Sequence, residues 1–156
     1  MEELDFQALL DTFRSNGFQA GERAILGHFG TVQTLLTLIF NAPVTVHLVE
    51  QKRHQGNIMR SVSLMAGDRT VCEALSHIPE DRNLPEVLRD IWAGNMGLGQ
   101  IISLHALPNK HKLIMVGRDE VSFYRRYNIS GMGLDLDIYE SFPRQPFVKV
   151  GWLNQP

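Results

Sequence analysis

The sequence predicts an α+β fold: a single six-stranded antiparallel sheet flanked by helices. Three observations lead there. Six short segments show the two-residue alternation or apolar enrichment of strands. Successive strand segments are joined by short connections, which force antiparallel pairing. The helical segments stand apart from the strands instead of alternating with them, which argues against βαβ winding.

The elements follow in order. Phe6, Leu9, Leu10 and Phe13 recur at helical spacing, and Asn16-Gly17 ends that helix. Gly27 to Gly30 is a break. Thr31 to Phe40 fits a helix or a strand by pattern and is read as a helix, closed by Asn41-Ala42-Pro43. Val44, Val46 and Leu48 alternate with Thr45 and His47 in a first strand. Asn57 to Met65 is the second strand and Arg69 to Ala74 the third. Ala66-Gly67-Asp68 between them is a hairpin signal, because Gly and Asp accept positive φ. Leu84 to Trp92 is a short helix stopped at Gly94, and Gln100 to His105 another. Lys112 to Val116, Val121 to Ile129 and Leu134 to Phe142 complete the sheet. The tail after Pro146 is expected to be loose or laid on the surface.

A chain of 156 residues fits one domain, 1–156, able to bury a full core without cross-links. The net charge of −2 provides no basic field, which disfavours nucleic acid as a partner. The acidic start MEELDF has neither the basic region nor the long apolar run of a signal peptide. The apolar segment Leu35 to Phe40 is too short to span a bilayer. A cytoplasmic protein without membrane attachment is expected. The single cysteine, Cys72, excludes an internal disulfide; as a small buried core residue it is better explained than as a nucleophile.

Strand periodicity also places charges on apolar faces. Arg60 shares a face with Ile58, Val62 and Leu64. Glu140 shares one with Leu134, Leu136 and Ile138, and Arg125 one with Val121, Phe123, Tyr127 and Ile129. Charged side chains are almost never fully buried unpaired. Two explanations stay open: a structural Arg–Glu ion pair, or side chains reaching water at a strand end, and a pocket whose charges await a polar ligand. The remaining motifs are weak. The six histidines lack metal-binding spacing, and His111, among lysines in NKHK, reads as a solvated turn. GNMGLGQ has spaced glycines without the strand–GxGxxG–helix context, and no Ser sits in a GxSxG setting.

The runs IMRSVSLMAG and DRTV, the loop GLGQII, the stretch VGRDEVSFYRRYNISG and the ending DIYESFP together resemble the chorismate lyase family. They look most like its short, divergent branch found in cyanobacteria, archaea and mycobacteria. The resemblance spans roughly Thr31 to Pro143. It implies a six-stranded antiparallel sheet with an internal ligand cavity under helical flaps. It also implies cofactor-free conversion of chorismate to 4-hydroxybenzoate and pyruvate. By motif position, Arg60 binds the ring carboxylate, Glu140 contacts the oxygen at ring carbon 4, and Leu98, before Gly99, offers a backbone N–H. The family's flap methionine has no counterpart in GTVQTLL, where Val32 and Gln33 stand.

On that resemblance Arg60 clamps the ring carboxylate and Glu140 acts as general acid toward the departing ether oxygen. Arg125 or Arg126 holds the enolpyruvyl carboxylate. No metal or organic cofactor is implied. The partners are substrate and product alone, with the chain a monomer or weak dimer. The runner-up is a non-enzymatic sensor of aromatic acids on the same fold. An enzyme acting on a related ring acid, or one giving 3-hydroxybenzoate, is a third reading, and an interaction module a fourth.

Overall fold

A computed structural model describes residues 4–156. The elements are α1 (Phe6–Ser15), α2 (Ala20–Leu26), α3 (Val32–Phe40), β1 (Val44–His54), β2 (Asn57–Ala66), β3 (Arg69–Pro79), α4 (Pro85–Ala93), α5 (Leu98–His105), β4 (Lys110–Arg118), β5 (Ser122–Gly131), β6 (Leu134–Pro143) and α6 (Arg144–Lys149). The strands form one antiparallel sheet in the order β1-β2-β3-β6-β5-β4. The predicted α+β class and six-stranded sheet are therefore what the chain adopts.

Local chemistry sets the boundaries. Asp5 caps α1 by accepting the Ala8 N–H at 2.6 Å. Asn41 ends α3 in the left-handed region at φ 49°. Pro85 opens α4, and Gly94 closes it at φ 79°. The β2–β3 hairpin turns at Gly67, φ 64°, as its sequence predicted.

Helices cover one face of the sheet, leaving Glu73, Leu75 and His77 of β3 exposed on the other. The covered face is organised in rows that cross the strands. Leu64 pairs with Cys72, and Phe142 with Phe123. These belong to an apolar cluster with Phe13, Ile25, Leu26, Leu36 and Phe40. At the other end Ile58 pairs with Ile78 and Leu136 with Ile129, in a second cluster with Val87, Ile91 and Ile101. Two rows separate the clusters. One is Val62–Ala74–Glu140–Arg125, the other Arg60–Ser76–Ile138–Tyr127. The middle of the sheet is thus where the inward charges fall.

Two expectations are corrected. The tail is not loose: it forms α6, and Phe147 is fully buried against Phe40, Phe123 and Phe142 at centroid distances of 4.9, 5.3 and 6.4 Å. Leu153 is buried as well. Strand-like reading stopped at Pro143, and six residues are too few to show helical period. Val121 lies outside β5 and is exposed, so the inward row begins at Phe123. The helix α2, which the sequence reading passed over, is anchored by Glu22. That carboxylate is fully buried; it meets Arg144 at 2.9 Å and Arg118 at 3.2 Å, and accepts the Gln19 N–H at 3.0 Å.

Phe147→Ala should lower stability by about 3–5 kcal/mol through the cavity it leaves. Urea unfolding at neutral pH checks this. A loss below about 1 kcal/mol would mean that the tail merely rests on the surface.

Candidate functional site

A cavity of about 290 Å³ lies over the two middle rows. Its floor is Val62, Ala74, Ser76 and Ile138; Arg60, Glu140, Tyr127 and His111 reach it from four different strands. Its roof is the segment Phe29–Gln33 together with Gly97, Leu98, Gly99, Ile102 and Ser103 of α5 and the turn before it. The small side chains of Ala74 and Ser76 on the central strand leave the volume that a larger pair would fill.

Arg60 is 1% exposed. Its Nη2 donates to the Met96 carbonyl at 2.5 Å, while Nε and Nη1 are buried without an acceptor. No carboxylate pairs with it among the described ion pairs. Burial pushes its pKa down, since desolvation opposes the charge. A buried, unpaired cation costs several kcal/mol, a cost that a bound anion would offset.

Glu140 differs. Its Oε1 accepts from Arg125 Nε at 2.7 Å and its Oε2 from the Tyr127 hydroxyl at 3.2 Å. Arg125 is itself 1% exposed, and its Nη1 is caged by the carbonyls of Ile25, Leu26 and His28. Two of these carbonyls belong to the end of α2, whose dipole favours a cation there. Burial alone would depress the Arg125 pKa, but Glu140 and Tyr127 outweigh it and hold it above the ordinary value. Burial, reinforced by Glu140, pushes the Tyr127 hydroxyl well up, keeping it a donor. The two explanations left open by the sequence therefore divide between residues. Glu140 has a charged structural partner, Arg125, whereas Arg60 has no carboxylate partner among the described residues.

Leu98 and Gly99 open α5, so their N–H groups lack an intrahelical acceptor by the geometry of a helix start. Gln100 Oε1 accepts the Gly97 N–H at 2.9 Å and fixes that turn. A side chain at Gly99 would come within 3.3 Å of Thr31, so glycine lets the two parts of the roof approach. Arg125 does not line the cavity but stands behind Glu140. Arg126 does not line the cavity among the described residues. It lies on the opposite face of the sheet, bidentate on Asp137 at 2.9 and 2.9 Å, as the alternation of β5 requires.

His111 is the residue that sequence reasoning missed. It is not in a solvated turn: it sits on β4 opposite Ile129 and lines the cavity. Its ring stacks on Tyr127 at 6.0 Å and 6°, and its Nδ1 is buried without a partner. Burial, then the Arg125 charge, lowers its pKa, with Glu140 opposing. The signal available was alternation, with His111 and Leu113 on one face and Lys110 and Lys112 on the other. Cys72 lies buried in the core as expected, its thiol pushed well up, chiefly by burial and then by Glu140. Among the described residues no three His, Cys, Asp or Glu side chains are grouped to hold a metal, and no helix is long and apolar enough to cross a membrane.

No protein-family model matches the chain. The chain is similar to a protein of Methanocaldococcus jannaschii named "Putative lyase MJ0807", with 28% identity over 108 residues. The match takes in 66% of this chain and 59% of that relative.

Arg60→Met keeps the length of the side chain and removes the unpaired charge. It should raise the stability of the ligand-free protein by about 1–4 kcal/mol, measured by urea unfolding. A loss of several kcal/mol would show that Arg60 is a structural member of the core.

Proposed function

We propose that the chain is a lyase that binds chorismate in this cavity and releases pyruvate, leaving 4-hydroxybenzoate. The observation that carries the reading is Arg60: a buried guanidinium with two nitrogens unmet, beside a volume sized for one substituted ring. The planar fork of arginine suits bidentate capture of a carboxylate. The likeness to a lyase supports the reaction class, and the motifs around Arg60, Leu98-Gly99 and Glu140 support the substrate.

On this reading each group has a task. Arg60 takes the ring carboxylate, in exchange for its desolvation. The N–H groups of Leu98 and Gly99 supply neutral donors from the roof. Glu140 lies two strands and one row from Arg60, roughly 12 Å between Cα atoms on standard strand spacings, which puts a ring carboxylate and ring carbon 4 at the two ends of one benzoate-sized span.

Glu140 receives two hydrogen bonds, so its proton-donating role needs one of them to be exchanged as substrate enters. The reaction breaks the C3–O ether bond and removes the hydrogen from ring carbon 4. The ether oxygen leaves with the bonding pair as the enolate of pyruvate, whose methylene carbon takes up one proton in balance for the one released from ring carbon 4, and the ring becomes aromatic. Aromatisation drives the step, so positioning in a water-poor chamber is the main contribution asked of the protein.

Incubation of the purified protein with chorismate, with products resolved by chromatography, tests the proposal. Equal amounts of pyruvate and 4-hydroxybenzoate are expected. Arg60→Ala should remove detectable 4-hydroxybenzoate binding, and Glu140→Gln should reduce kcat more than affinity, by roughly 10²–10⁴-fold for a proton-transfer group. Binding without pyruvate release would favour an aromatic-acid sensor instead. Wild-type turnover by both variants would contradict the site.

A further inference from the structure

Among the described residues, two sets of buried polar atoms around the cavity lack partners: Nε and Nη1 of Arg60, and Nδ1 of His111. They are far apart on the sheet. Arg60 is on β2 and His111 on β4, four strand steps away in the observed order. On standard spacings their Cα atoms are separated by roughly 20 Å, about 8 Å more than Arg60 and Glu140. A hydroxybenzoate anchored at Arg60 spans the shorter distance. Reaching His111 as well takes a ligand carrying a further polar extension beyond the ring.

The surroundings of His111 suit a ligand contact. The ring is held flat on Tyr127 and edge-on to Phe29 at 5.7 Å. Tyr127 is in turn fixed through its hydroxyl to Glu140. The charged and titratable groups acting on it are Arg125 and Tyr127 from β5 and Glu140 from β6. Arg125 and Glu140 neutralise one another at 2.7 Å, so neither is free to meet an incoming carboxylate.

We infer that His111 is a substrate-selective binding residue, whose Nδ1–H donates a hydrogen bond to the enolpyruvyl carboxylate of chorismate, a group the product lacks. This rests on the lyase reading and adds to it how substrate is distinguished from product. Arg60 and the roof hold what is common to both molecules. His111 holds only what leaves, so its contact is lost once pyruvate departs.

The test is the KM for chorismate, from initial rates of pyruvate release, and the affinity of 4-hydroxybenzoate, from displacement of a fluorescent benzoate, for wild type, His111→Phe and His111→Asn. His111→Phe preserves the stacking on Tyr127 without a donor; His111→Asn restores an N–H near Nδ1. A hydrogen bond to a charged group supports roughly a tenfold or greater rise in KM for chorismate in His111→Phe, a change under about twofold for 4-hydroxybenzoate, and partial recovery in His111→Asn. Equal changes for both ligands, or none for either, overturn the assignment. Retained 4-hydroxybenzoate binding also shows that the variant folds. Failure of the lyase reading is separately visible, as absence of pyruvate release from wild type.

Discussion

The feature on which the rest of the structure turns is a guanidinium buried at mid-sheet that no carboxylate meets among the described residues. Folding places Arg60 between two apolar clusters and gives it one carbonyl, that of Met96, in place of water. Such an arrangement is unfavourable to stability taken alone. It is tolerated because packing on both sides over-determines the position: Ile58 and Leu64 on the same face of β2 are fully or nearly fully buried. The same interaction ties β2 to the turn that leads into α5. The cation and the backbone donors of the roof are therefore held against one another by a single hydrogen bond.

Glu140 illustrates the opposite strategy, in which a charge is kept in place by a chain of supports. Arg125 fixes the carboxylate, and the carbonyl end of α2 fixes Arg125. The same helix is held by Glu22 against Arg144 and Arg118, and by the C-terminal segment, where Trp152 Nε1 donates to the Gly21 carbonyl at 3.1 Å. The C-terminal residues are thus connected to the cavity although none of them lines it. Networks of this kind rigidify a site only when every member is satisfied. Here both oxygens of Glu140 are met, by Arg125 and Tyr127, while Nε and Nη1 of Arg60 are not.

Period-two counting was enough to turn Arg60, Glu140 and Arg125 inward, because a strand with one apolar face leaves no freedom in where alternate residues point. It did not give the pairing of charges, which depends on strand order. Arg125 and Glu140 are opposite one another only because β5 and β6 are neighbours. His111 escaped because flanking lysines dominate a short window, although the lysines and the histidine occupy opposite faces. The helix α2 escaped because Gln19 is not a customary N-cap and seven residues carry little periodicity. The tail escaped for a related reason: the aromatic contacts of Phe147 are with Phe40, Phe123 and Phe142, all distant from the segment except the last.

The central claim is that the Arg60 side chain lacks an anion until a ligand carboxylate arrives. The most direct measurement is the NMR resonance of the Arg60 Nε–H, assigned by its loss in an Arg60→Lys variant and followed as 4-hydroxybenzoate is titrated into the wild type. The account predicts a saturable downfield shift with slowed exchange with water, as the unmet donor acquires a charged acceptor. A resonance that stays in place while the ligand binds elsewhere would contradict it.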